Sequence, residues 1–173
     1  MYNLHVLFLI YNMEGIKSAL FHSARTGDTA LLKEVIDSGT DLNAKDEKGF
    51  TPLIIACYNN QFEAASLLLS ADADVNAADA GGNTALMGVC FKGYADIASL
   101  LIQYGANLDL QHGNGGTAIM FAAMFGRNEL IKLLLAHGAN TEIKDFKGLT
   151  AFDLAVQQGN QEGAALLAIK LTI

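Results

Sequence analysis

The chain contains no tryptophan, one proline and only two cysteines in 173 residues. Two cysteines cannot make a disulfide framework, and Cys57 and Cys90 read as unpaired thiols suited to a reducing compartment. Basic residues are scarce. Eleven Lys and Arg face eighteen Asp and Glu, for a formal charge of −7 with histidine neutral. That argues against nucleic acid as the default partner, because phosphate binding needs clustered cations. No apolar run approaches the ~20 residues that span a bilayer, so no membrane span is expected. The four histidines, His5, His22, His112 and His137, show no metal-ligand spacing. Nucleophile-elbow, zinc-protease and kinase motifs are all missing, and the acids are scattered along the chain. The expectation is a non-enzyme, with no catalytic residue, metal or cofactor.

What is abundant is apolar material and glycine. Hydrophobic residues make up 51% and the mean hydropathy is +0.28, enough for a core and unlike a disordered chain. The glycines fall on a lattice. Gly49, Gly82, Gly115 and Gly148 lie 33 residues apart. Gly27, Gly93, Gly126 and Gly159 make a second register, with Asn60 in its vacant slot. Thr51, Thr84, Thr117 and Thr150 form a third, and Leu53, Leu86, Ile119 and Phe152 a fourth. Such a period identifies stacked supersecondary units. Each register has a physical reading. The first glycine closes a turn, and the threonine two residues on caps a helix N-terminus. Pro52 fits the first helical position. A short apolar helix follows and ends at the second glycine. A second helix carries Leu67-Leu68-Leu69, Leu100-Leu101 or Leu133-Leu134-Leu135, and stops at Gly39, Gly105 or Gly138.

Gly49-Phe50-Thr51-Pro52-Leu53 with Ala56, and Leu134-Leu135-Ala136-His137-Gly138-Ala139-Asn140, resemble the ankyrin repeat. The resemblance implies an all-α ankyrin-repeat solenoid of helix–turn–helix units joined by β-turn or hairpin loops. It covers residues 14–173 as a single domain of five repeats. The first runs near Glu14–Asp41, and the others start near Asn43, Asn76, Asp109 and Glu142. The chain departs from the family pattern in places. Ile54, Met87, Met120 and Asp153 replace its usual His, and Ala85, Ala118 and Ala151 fill the slots equivalent to Pro52. Asp72 stands where a helix-ending glycine belongs.

Residues 1–13 lie outside the repeat, and Leu4–Tyr11 is apolar except for His5. Three readings stay open: a flap over the first repeat, a translation start at Met13, or a weak signal-like segment without a positive leader. The far end, Leu166–Ile173, reads as an outer helix with an apolar tail. A monomer is expected, with self-association through the apolar ends as its alternative.

The segment His112-Gly113-Asn114-Gly115-Gly116-Thr117 could suggest a phosphate cradle, but it lacks the Gly-Lys-Ser/Thr ending and its register makes it a repeat turn. His112 takes the slot of Asp46, Asp79 and Asp145, which read as acceptors for turn backbone.

In the family the concave face is formed by turn tips and inner-helix ends. The resemblance therefore places Tyr58, Phe91, Lys92, Met124 and Phe125 on that face, with Phe50 and Phe146 on the turns. Apolar residues gather in the middle and polar ones at the ends, the layout of a binding hot spot. Small tips at Ala78, Ala80, Gly81, Gly113 and Gly116 leave a trough, flanked by Lys45 and Lys48 on one side and Lys144 and Lys147 on the other. The expected function is a cytoplasmic adaptor, scaffold or inhibitor that binds a protein or peptide there. The alternative is an exported or immunity-type protein that neutralises a specific, basic target, with a secreted or periplasmic location.

Overall fold

The computed structural model describes residues 13–169 as ten helices linked by turns. The readings made for residues 1–12, and for the apolar tail over residues 170–173, lie outside the described residues. Two compact units divide at Ala80 and Gly81.

In the first unit, α1 (Met13–Thr26) and α3 (Pro52–Tyr58) form an inner layer, and α2 (Thr29–Asp37) and α4 (Phe62–Ser70) an outer one. Helix α3 shows why the sequence folds this way. The hydroxyl of Thr51 accepts the Ile54 N–H at 3.2 Å, and Pro52 opens the helix. Leu53, Ile54, Ile55, Ala56 and Cys57 are all buried. A helix apolar on every side must be enclosed by neighbours. The outer helices are amphipathic instead. In α2, Leu32 and Val35 face inward at helical spacing while Lys33 and Glu34 do not. Each leucine so enclosed contributes about 2 kcal/mol of transfer free energy.

The second unit repeats the arrangement. Helices α5 (Ala85–Lys92), α7 (Ala118–Met124) and α9 (Ala151–Gln157) are inner; α6 (Ala95–Gln103), α8 (Asn128–Ala136) and α10 (Gln161–Ile169) are outer. Ile97, Leu101, Leu130, Ile131 and Leu134 fill the space between the layers. In the last repeat Val156 takes the slot of the buried Cys57, Cys90 and Ala123, yet it is 55% exposed.

The threonine caps form at Thr51, Thr84 and Thr150, and Thr150 closes a reciprocal capping box with Asp153. Thr117 departs from the rule. The Met120 N–H donates to the Thr117 carbonyl at 3.1 Å, a tight first turn. The Thr117 hydroxyl is left buried with no partner. Asp72 does adopt the left-handed conformation expected of a glycine slot, with φ 65°. The Ala73 N–H behind it closes onto the Leu68 carbonyl at 3.0 Å.

Side-chain straps tie consecutive repeats together. The Asp74 N–H donates to Asn43 Oδ1, and the Asn140 N–H to Asp109 Oδ1. Gln61 Nε2, Arg127 Nε and Asn160 Nδ2 reach back to the carbonyl oxygens of Arg25, Phe91 and Ala123.

Candidate functional site

The turns that carry the site are built by one side chain each. Asp46 Oδ1 accepts the Lys48 and Phe50 N–H groups, both at 2.9 Å. Asp145 does the same for Lys147 and Leu149 at 2.8 and 2.9 Å. In the turn between them in type, His112 substitutes: its Nδ1 accepts the Asn114 N–H at 3.3 Å, and its backbone N–H donates to the Gly116 carbonyl at 3.0 Å. The imidazole then folds inward over the ring of Phe121, with centroids 5.2 Å apart. Gly116 makes room for it, since a Cβ there would stand 2.7 Å from His112 Nε2.

The turn tips bond to one another through backbone. Gly113 N–H donates to the Gly81 carbonyl at 2.8 Å, and Phe146 N–H to that of Asn114 at 3.0 Å. These bonds fix Phe146 in place although its side chain is 79% exposed.

Within residues 81–173 the structure brings several expected residues together. Phe91 and Phe125 meet edge to face, with ring centroids 4.6 Å apart. Phe91 is half-buried and Phe125 is 40% exposed. Met124, Phe146 and Lys147 line one cleft of about 390 Å³, together with Met120, Phe121, His112 and Leu154. Lys144 is exposed on the same turn, and its carbonyl accepts Gln111 Nε2 at 3.1 Å. Lys92 lies half-buried at the end of α5.

In the first unit, Tyr58 is 45% exposed at the end of α3. Phe50 and Lys48 line a separate, shallower cleft with Lys17, Phe21 and Arg25. Lys45 is engaged within the fold, its amine donating to the Ala78 carbonyl at 2.7 Å.

Sequence reasoning passed over Phe121, Met120 and His112 as parts of a cleft. A signal was present in the registers. The one turn with histidine in the aspartate slot also has glycine where Phe50, Asn83 and Leu149 stand. The two departures fit each other and open the cleft.

Burial pushes the Cys57 thiol up to about 12 and raises Cys90 as well, so neither is poised as a nucleophile. Both are free thiols. Among the described residues no cluster of His, Cys, Asp or Glu could hold a metal ion, and no helix is long and apolar enough to cross a membrane.

A family model of ankyrin repeats matches the chain in three overlapping copies, over residues 4–79, 20–112 and 86–173. A search among curated proteins gives no match. Ankyrin repeats are generally protein–protein interaction modules. With the 33-residue lattice, the paired helices of each repeat and the family match in agreement, the chain belongs to the ankyrin-repeat family.

Proposed function

We propose that the chain is a non-enzymatic adaptor, scaffold or inhibitor that docks a protein or peptide on the face of residues 81–173 where inner-helix ends meet turn tips. The observation that carries this reading is the exposure of Phe125 and Phe146, at 40% and 79%, on backbone held by helix ends and inter-turn hydrogen bonds. Aromatic anchors on a preorganised surface bind with little ordering cost. The test compares affinity capture by the wild type and by a Phe125→Ala/Phe146→Ala variant that keeps its helical circular dichroism. A protein retained by the first and lost by the second is the expected result. Equal capture by both overturns this placement of the site.

The basic-target alternative is favoured by a different observation. Residues 1–80 hold eleven Asp and Glu against five Lys and Arg, whereas residues 81–173 hold seven against six. A basic target would therefore be drawn to the first unit, with an association rate that falls steeply as salt rises. A rate indifferent to salt removes that alternative.

A further inference from the structure

We infer that residues 4–11 of the chain itself seat in the cleft of the first unit between α1 and the turn at residues 46–50, in the place that a turn fills in the later repeats. The inference is independent of the docking surface proposed above, which lies in residues 81–173.

The first repeat lacks a part that its successors have. Its slot in the threonine register is Ser18, yet α1 begins earlier, at Met13. Residues 13–17, which the period assigns to a turn, are therefore helical. The loss shows on the next turn. Backbone rungs join consecutive turn tips: the Ala80 N–H donates to the Lys48 carbonyl, Gly113 to Gly81 and Phe146 to Asn114. These donors stand 33 residues apart, and the same step back from Ala80 reaches Glu47. Glu47 is exposed, and its N–H has no hydrogen-bond partner among the described residues. The carbonyl slot that would face it belongs by register to Gly15, which lies within α1. An unpaired edge of this kind is a template for extended chain.

The cleft beside that open rung suits an uncharged apolar occupant. It measures about 560 Å³, with Phe21 and Phe50 as half-buried walls. Lys17, Arg25 and Lys48 border it, and so do Glu14, Asp46 and Glu47. Charges so balanced draw neither a cationic nor an anionic segment. The long cations instead lay alkyl stems along the walls, and Lys17 Nζ stands 5.9 Å from the Phe21 ring centre. Residues 2–12 contain no Lys, Arg, Asp or Glu, and Leu4, Val6, Leu7, Phe8, Leu9 and Ile10 supply the apolar side chains.

The tether decides between this segment and a free partner. Residue 12 joins Met13 at the rim, next to Glu14. Twelve residues reach about 40 Å when extended, whereas α1, with 14 residues, is about 21 Å long. The segment can double back along the whole cleft. Its covalent link gives it a local concentration in the millimolar range. The ankyrin-family match also begins at residue 4 rather than at Met13.

Two NMR readouts on the full chain test this. The first is amide hydrogen exchange at Glu47, compared between the wild type and Leu7→Asp/Leu9→Asp. The second is broadening by a nitroxide on Asn3→Cys, whose thiol is open to labelling while Cys57 and Cys90 are buried. The expected result is a protected Glu47 amide that exchanges about tenfold faster in the double variant. Ala80, Gly113 and Phe146 should stay protected in both, as evidence of folding. The nitroxide should broaden Lys17, Phe21 and Phe50 more than α4, and the aspartate pair should abolish that pattern. Equal Glu47 exchange in the two proteins, or broadening centred elsewhere, overturns the inference. A mixture of nitroxide-labelled chain with 15N chain lacking the label covers the other occupant. Broadening of the 15N chain means that a second copy supplies the segment, which overturns the internal seat. None of these outcomes bears on capture through Phe125 and Phe146, so the proposed function is decided separately.

Discussion

The imidazole of His112 stands where a side chain on Gly116 would begin, with Nε2 2.7 Å from the position of that Cβ. Two residues four apart have exchanged bulk. In the turns at Asp46 and Asp145 the small acceptor pairs with Phe50 or Leu149; here a ring pairs with glycine. Gly116→Ala should therefore displace the ring from Phe121 and cost about 1 kcal/mol, at the low end for overpacking because the imidazole can rotate. In a His112→Asp background the same change should cost nothing. A double-mutant cycle in urea measures the coupling. Additive effects would mean that the ring and residue 116 do not compete for space.

Asp72 is held at φ 65° in a slot where Gly39, Gly105 and Gly138 occupy the same left-handed region. Asp72→Gly should stabilise the protein by about 1 kcal/mol, the cost of a non-glycine residue there. The melting temperature should rise. Asn60→Gly, at φ 59°, should gain less, because asparagine tolerates this region.

The threonine register is chemically uneven. Thr51 caps α3 through its hydroxyl, whereas the Thr117 hydroxyl is buried and unpaired. Thr51→Ala should cost about 1 kcal/mol. Thr117→Ala should cost distinctly less, since it also removes an unsatisfied polar atom. Comparing the urea midpoints of the two variants decides this, and equal losses would contradict the unpaired state of Thr117.

The Asp153 carboxyl is held below its ordinary value, first by the Thr150 backbone N–H and then by its hydroxyl. Its folded value therefore lies below the unfolded one of about 3.9. The stabilisation is fully present above that unfolded value and disappears as pH falls through the folded one. Glu162, lowered first by the Asn128 hydrogen bond and next by Lys132, acts in the same direction. Asp153→Asn should flatten the decline of melting temperature below about pH 4. A decline as steep as that of the wild type would assign the acid sensitivity to other carboxylates.

The repeat was legible in the sequence because its turns and helix ends demand special residues. Left-handed backbone at Gly49, Gly82, Gly115 and Gly148 left a mark that no alternative residue would leave cheaply. The site was less legible. Exposure at Phe125 and Phe146 follows from register, but the contact between Phe91 and Phe125 depends on rotamers that period alone does not specify. Lys45 reads as a free cation in sequence, yet the carbonyl that holds it belongs to Ala78, 33 residues on. Residues that look decorative in one repeat are tethers to the next.

Those tethers also bear on how the chain folds. The straps from Asn43 to Asp74, Gln111 to Lys144 and Arg127 to Phe91 span 31, 33 and 36 residues. Each closes a loop of about one repeat, and loop-closure entropy grows only logarithmically with length. Within each unit, a pair of adjacent repeats can therefore nucleate without waiting for distant chain, and growth proceeds by adding neighbours. A defect in one strap should be felt by the two repeats it joins and fade beyond them, so different surface loops can diverge without jeopardising the rest.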